Sequence, residues 1–154
     1  MDMKTAIAAD KLSAKDLTRE FPRSPRETLA GYVIAARMLD KCRATIAGTA
    51  GEYHFNCLLD RQFLDFAGLE AEAFRTFVTT GASDHDVAAW IEKHAQQRPR
   101  LEIIKWNNHM RDLPLSQLPD EAQEFLENYI PLCLPKGRVV YRWFDVYDIE
   151  EKRL

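Results

Sequence analysis

Residues 23–48, RSPRETLAGYVIAARMLDKCRATIAG, decide the fold class. Ser24 can cap a helix, Pro25 suits its first turn, and Glu27 completes a capping box. The stretch predicts a helix from Pro25 to about Ala47, with Gly48 and Gly51 able to stop it. At about 100° per residue, Leu29, Tyr32, Ala35, Ala36, Met38, Leu39, Cys42 and Ile46 cover more than half the circumference. A helix apolar over so wide an arc is a central one, packed on several sides. Asp40 falls in the arc of Leu29, Val33, Ala36 and Ala47 rather than among solvated charges. Arg37 and Arg43 stand three residues to either side, within reach of its carboxylate. An unpaired buried charge costs several kcal/mol, so Asp40 is expected to be paired.

The same grammar recurs downstream. LDRQFLDFAG reads as a helix ending at Gly68, and LEAEAFRTFVTTG as a second ending at Gly81. Ser83 and Asp86 make a box-like start for DHDVAAWIEKHA, where Val87, Trp90, Ile91 and His94 share a face. Pro99 opens RPRLEIIKWNNHMRDL. PDEAQEFLENYI follows, with acidic residues where the helix dipole favours them, and is expected to stop before Pro131. In VVYRWFDVYDIEEKRL, Val139 and Val140 favour a strand, but Val140, Trp143, Phe144 and Tyr147 have helical spacing. With no second strand to pair, residues 139–154 are expected to form an aromatic helix and a solvated tail. The expectation is therefore an all-α, compact single-domain bundle of six to seven helices over residues 1–154, with a long central helix and a loosely ordered start over 1–20.

Composition excludes several functions. Net charge is −3, with +3 on residues 1–48 (nine Lys+Arg, six Asp+Glu) and −6 on the rest (twelve against eighteen). Neither value is an electrostatic footprint for nucleic acid or an anionic membrane. No segment approaches the roughly 20 apolar residues that span a bilayer, and the first residues do not read as a secretory signal. Cys42, Cys57 and Cys133 are odd in number and widely spaced, which fits reduced thiols in a cytoplasm. FRTFVTTGASDHDVAAWIEK imitates a DNA-binding helix-turn-helix. Its second helix offers Asp84, His85, Asp86 and Glu92 outward, which phosphates repel, so no nucleic-acid partner is expected.

The chemistry-bearing residues cluster in LDKCRATIAGTAGEYHFNCLLDR, residues 39–61. Arg37, Asp40 and Arg43 form either a structural ion network or an anion pocket with one arginine free to hold a carboxylate or phosphate. In GEYHFNC, Tyr53 and Phe55 alternate with His54 and Asn56. An extended loop would send the aromatics inward and the polar pair outward, toward something they face. His54 and Cys57 resemble half of a zinc site, but no second close pair exists, and no metal is expected. Cys57 as a nucleophile would need His54 as base and Asp60 to orient it; otherwise it is a small apolar thiol in the core. Asn107, Asn108 and His109 could be presented to a ligand, but a polar helix face explains them equally well. Phosphate-loop and nucleophile-elbow patterns are absent.

Several segments in order, DLTREFPRSPRETLAGYVIAARMLDKCRATIAG, GEYHFNCLLDRQFLDFAG, GASDHDVAAWIEKH and IIKWNNHM, resemble the bacterial family known as domain of unknown function 5069. Ala30 stands where that family usually has a second glycine beside Gly31, and Leu58 where proline follows the cysteine. The resemblance implies a small bacterial protein and brings no reaction, cofactor or partner with it.

The residues themselves favour binding of a small anionic or polar metabolite between the 25–47 helix and the 48–60 loop. Arg37 and Arg43 would supply charge and Tyr53, His54 and Asn56 orientation, with Asp40 and Cys57 as further candidate ligand-binding residues. One alternative is an interaction module, a homodimer or a partner complex, using Trp143, Phe144 and Tyr147. The other is an enzyme using His54, Cys57 or Asp40.

Overall fold

A computed structural model describes residues 12–154. Among them are seven α-helices: α1 Ala35–Ala47, α2 Leu58–Ala67, α3 Ala71–Val78, α4 Asp84–His94, α5 Arg100–Asp112, α6 Asp120–Cys133 and α7 Trp143–Glu150. A 3-10 turn spans Leu115–Gln117, and the described residues contain only isolated β-bridges. The protein is all-α. No helix among the described residues is long and apolar enough to cross a membrane. The chain divides into two compact units, the first ending at Arg98 and the second running Pro99–Leu154.

In the first unit, α1 packs against α2 and α3. Every residue from Ala35 to Ala44 is buried, including Arg37, Asp40, Lys41 and Arg43. The wide apolar arc thus produces the enclosed helix it predicts. Its start is shorter than expected, at Ala35 instead of Pro25. Leu29 and Tyr32 exchange both backbone hydrogen bonds at 3.0 Å across a two-residue turn. Ala30 and Gly31 take φ of 54° and 83° there, the type I′ pattern, which no α-helix accommodates. Ser24 caps only a local turn, its Oγ accepting from Arg26 N at 3.1 Å. Ile34, φ 74°, then redirects the chain into the helix while its side chain stays fully buried. Burial of Ile34 and Tyr32 outweighs the cost of about 1–2 kcal/mol for one left-handed residue.

The loosely ordered start expected over residues 1–20 lies partly outside the described residues. From Lys15 onward the segment is tied to the end of α1: Leu17 N donates to Thr49 O at 2.8 Å and Thr49 Oγ1 to Lys15 O at 3.0 Å. Downstream, α1 and α2 end on Gly48 and Gly68 as expected. The Ser83–Asp86 capping box forms in both directions.

In the second unit, α5 packs against α7. Leu115 N donates to Tyr141 O at 2.7 Å and Trp143 N to Leu113 O at 3.0 Å, so the chain is extended up to Arg142 and helical from Trp143. The helix expected over 139–147 is therefore real only in its second half, where Trp143, Phe144, Val146 and Ile149 are buried. Two other expectations are corrected. Helix α6 continues through Pro131 to Cys133, because in this last turn proline removes one donor and orphans only the carbonyl of exposed Glu127. The tail is not simply solvated. Asp148 and Glu151 are buried, and Arg153 Nη1 reaches both carboxylates, satisfying charges that burial would otherwise penalise. Asn107 also leaves the expected polar face and is buried, while Asn108 and His109 stay exposed.

The tight turn gives a clean test. A Cβ on Gly31 would meet nothing within 4 Å, so Gly31→Ala probes backbone conformation alone. It is expected to destabilise by about 1 kcal/mol, whereas Ala30→Gly is expected to be neutral or slightly stabilising. Urea unfolding of the two variants checks the pair.

Candidate functional site

Asp40 is buried as its place on the helix predicts, at 4% exposure, but its partner is neither Arg37 nor Arg43. Arg23, carried in from the segment before the turn, occupies both carboxylate oxygens. Its backbone N donates to Oδ2 at 2.8 Å, its Nε lies 3.1 Å from Oδ2 and 3.2 Å from Oδ1, and its Nη2 donates to Oδ1 at 2.9 Å. Lys15 Nζ adds a looser charge contact at 4.0 Å. This side-on fork is the geometry that makes arginine the favoured partner of a buried carboxylate.

The intrahelical Arg37–Asp40–Arg43 group is thereby corrected. Arg37 Nη1 donates to the carbonyl of Arg23 at 3.2 Å, and its guanidinium lies over the Tyr53 ring, 5.5 Å from the centroid. Arg43 turns the other way. Its Nη1 donates to Asp84 Oδ1 at 2.8 Å and its Nη2 to Ala82 O at 2.9 Å. Arg23 Nη1 donates to the other oxygen, Asp84 Oδ2, also at 2.8 Å. Four side chains therefore alternate in charge: Asp40, Arg23, Asp84, Arg43. Asp84 opens α4, where the helix dipole also favours a carboxylate. Partial burial pushes its carboxyl pKa up, but the hydrogen bonds and charges of Arg23 and Arg43 outweigh that and hold it below the usual range.

These residues line a recess of about 360 Å³, completed by Ser13, Ala14, Lys15 and Glu20. Its walls carry three cations (Lys15, Arg23, Arg43) and three carboxylates (Glu20, Asp40, Asp84), so its net charge is zero. Of the seven predicted site residues, only Asp40 and Arg43 line it. Arg37 sits behind Arg23, with Tyr53 against it.

The loop behaves as its alternation predicts: Tyr53 and Phe55 are half-buried, His54 and Asn56 exposed. Among the described residues no hydrogen bond joins His54 to Cys57. The Cys57 Sγ instead receives a hydrogen bond from Lys41 Nζ at 3.1 Å. Lys41 also stands 2.8 Å from Asp60 Oδ1, and both residues of that pair are buried. Among the described residues no three His, Cys, Asp or Glu side chains group to hold a metal ion. His94 closes the last turn of α4, its Nδ1 donating to Trp90 O at 2.9 Å while its ring stacks on Trp90.

Sequence reasoning missed Arg23, Lys15, Asp84 and the Lys41–Asp60 pair. Arg23 lies between Pro22 and Ser24 in irregular chain, where no periodicity marks what it faces. Asp84 had its signal, an acidic residue in a helix's first turn, but that signal says nothing about a partner 61 residues away.

Fold and site together define an all-α protein whose central helix is charged at its core and bridged outward by arginine. Residues 19–153 match the model of the family described as Domain of unknown function (DUF5069), and the chain belongs to that family. No curated protein matches it.

Because the folded carboxyl of Asp84 is depressed, its contribution to stability is present above the unfolded value of about 3.9 and is lost as pH falls through the folded value. Asp84→Asn is expected to lower stability at pH 7 and to flatten its decline below about pH 4. Melting curves of both proteins between pH 7 and 2.5 read this out; parallel acid limbs would contradict it.

Proposed function

We propose that this is a bacterial cytoplasmic protein that binds a small polar metabolite bearing an acid group, carboxylate or phosphate, in the recess between the start of the chain, α1 and the first turn of α4. Two guanidinium groups share one carboxylate there, and that observation carries the proposal. Arg23 and Arg43 are largely buried, whereas the Asp84 side chain they share is 48% exposed and can be exchanged. A ligand oxyanion would take its place between the two forks. Arg43 Nε is buried without a hydrogen-bond partner, and such a donor costs about 1–3 kcal/mol until an acceptor reaches it. The carboxylates Asp40 and Glu20 favour a ligand that also carries donors, such as hydroxyl or amino groups, over a bare anion. Three free cysteines, with Cys133 exposed and Cys57 half-buried, suit a reducing compartment.

The alternatives have less support. Trp143 and Phe144 are buried, at 3% and 0% exposure, so the aromatic face required for a docking module is not open at those residues. For an enzyme, Cys57 meets an ammonium where it needs an imidazole base.

Thermal melting with inorganic phosphate and with hydroxylated di- and tricarboxylates tests the proposal. A ligand at about 100 times its Kd adds about 2.7 kcal/mol, which raises Tm by about 5 °C or more. Arg43→Ala is expected to abolish the shift, and Asp84→Ala, which removes the competing carboxylate, to lower the ligand concentration that gives it. If no acid shifts either the wild type or Asp84→Ala, the recess is not an acid-binding site.

A further inference from the structure

The second charged cluster on α1 has a chemistry that the recess does not use. Lys41 lies one residue beyond Asp40 and turns its ammonium toward the start of α2. Its Nζ donates to Cys57 Sγ at 3.1 Å and stands 2.8 Å from Asp60 Oδ1. Lys41 and Asp60 side chains are 4% and 0% exposed, while Cys57 is half-buried. Asp60 Oδ2 accepts from Asn56 N at 2.9 Å, which fixes the loop carrying the cysteine. The other oxygen, Oδ1, is buried and makes no hydrogen bond, despite its closeness to Nζ. The two are in ion-pair contact, which places Oδ1 close enough to Nζ to receive its proton.

From this arrangement we propose that Lys41 and Cys57 form a reversible covalent crosslink when the protein meets a peroxide. A half-buried cysteine, a nitrogen in contact with its sulfur and a nearby carboxylate coincide at Cys57. Cys42 lacks access, being fully buried, with its thiol pKa pushed up to about 12 by that burial. In the first step hydrogen peroxide oxidises the Cys57 thiol to a sulfenic acid, its O–O bond breaks, and one water leaves. In the second, Asp60 Oδ1 takes a proton from the Lys41 ammonium. The freed amine attacks sulfur, the S–O bond breaks, and the hydroxide departs as a second water with another amine proton. The products are an S–N bond and a neutral Asp60 carboxyl. Sulfur has lost two electrons, and the peroxide has gained them. The step replaces a buried ion pair by two neutral groups, so the desolvated carboxylate is not left without its cation. Sulfenic acids undergo the same condensation with a backbone nitrogen. Excess thiol reverses the link by attack at sulfur, returning the amine and the free cysteine.

Peptide mapping of the intact wild-type protein tests this without relying on any variant to fold. After brief hydrogen peroxide treatment, quenching and tryptic digestion, a linked species joining the Lys41 and Cys57 segments is expected. It should be lighter than its two components by two hydrogens and uncleaved after Lys41. Dithiothreitol is expected to restore both peptides. Lys41→Arg, which keeps the cation beside Asp60 but cannot condense in this way, and Cys57→Ser should each abolish the species. Cys57 recovered as sulfenic or sulfinic acid with Lys41 free and cleaved overturns the proposal, as does Cys57 left unoxidised. A link that retains one oxygen between nitrogen and sulfur overturns the dehydration step.

Discussion

A carboxylate in the middle of an enclosed helix constrains everything around it. Asp40 cannot remain charged in the interior without donors on both oxygens, because breaking a buried pair costs about 3–5 kcal/mol. The donors come from outside the helix. Arg23 supplies a backbone N–H and two guanidinium nitrogens, which fixes the irregular segment before α1 against that helix. The same guanidinium has an edge to spare, and it reaches Asp84, so the first turn of α4 is placed by the same interaction. Arg43 closes the series from α1 itself. The recess is the space left where these three pieces of chain meet.

Asp40 and Lys41 are sequence neighbours that point about 100° apart on their helix, and so they serve different parts of the first unit. Asp40 looks to the start of the chain and α4, Lys41 to the start of α2. Their surroundings differ in exposure. The recess includes a half-exposed carboxylate, Asp84. The Lys41–Asp60 pair is closed to water, and the residue it touches, Cys57, is half-buried. One helix thus carries an open charged cluster and a closed one.

The all-α class and the enclosed nature of α1 were legible because apolar spacing along the chain records burial directly. Asp40's inward position was legible for the same reason: the helical wheel places a side chain regardless of its charge. So were the Ser83–Asp86 cap and the Gly48 and Gly68 stops, which are local chemistry. Partners were not. Arg37 and Arg43 are near Asp40 in sequence, and proximity suggested a pairing that Arg23, 17 residues away, takes instead. Nothing local marks an arginine in irregular chain as the one that will arrive. The start of α1 failed on a subtler point. Ala30 and Gly31 adopt a two-residue turn that asparagine–glycine would have advertised, and alanine in that place reads as a helix former. The split of the aromatic C-terminal segment followed from a pairing with Leu113–Leu115, a contact too distant in sequence for a local pattern to reveal.

Arg23 and Asp40 are joined by three side-chain to side-chain hydrogen bonds and one from the Arg23 backbone, a geometry that makes them one energetic unit. A double-mutant cycle of Arg23→Ala and Asp40→Ala, measured by reversible urea unfolding at pH 7, tests it most directly. A coupling free energy of about 2 kcal/mol or more is expected, with the double variant much less destabilised than the two single losses combined. Additivity within about 0.5 kcal/mol would show that Arg23 is not the partner that keeps Asp40 buried.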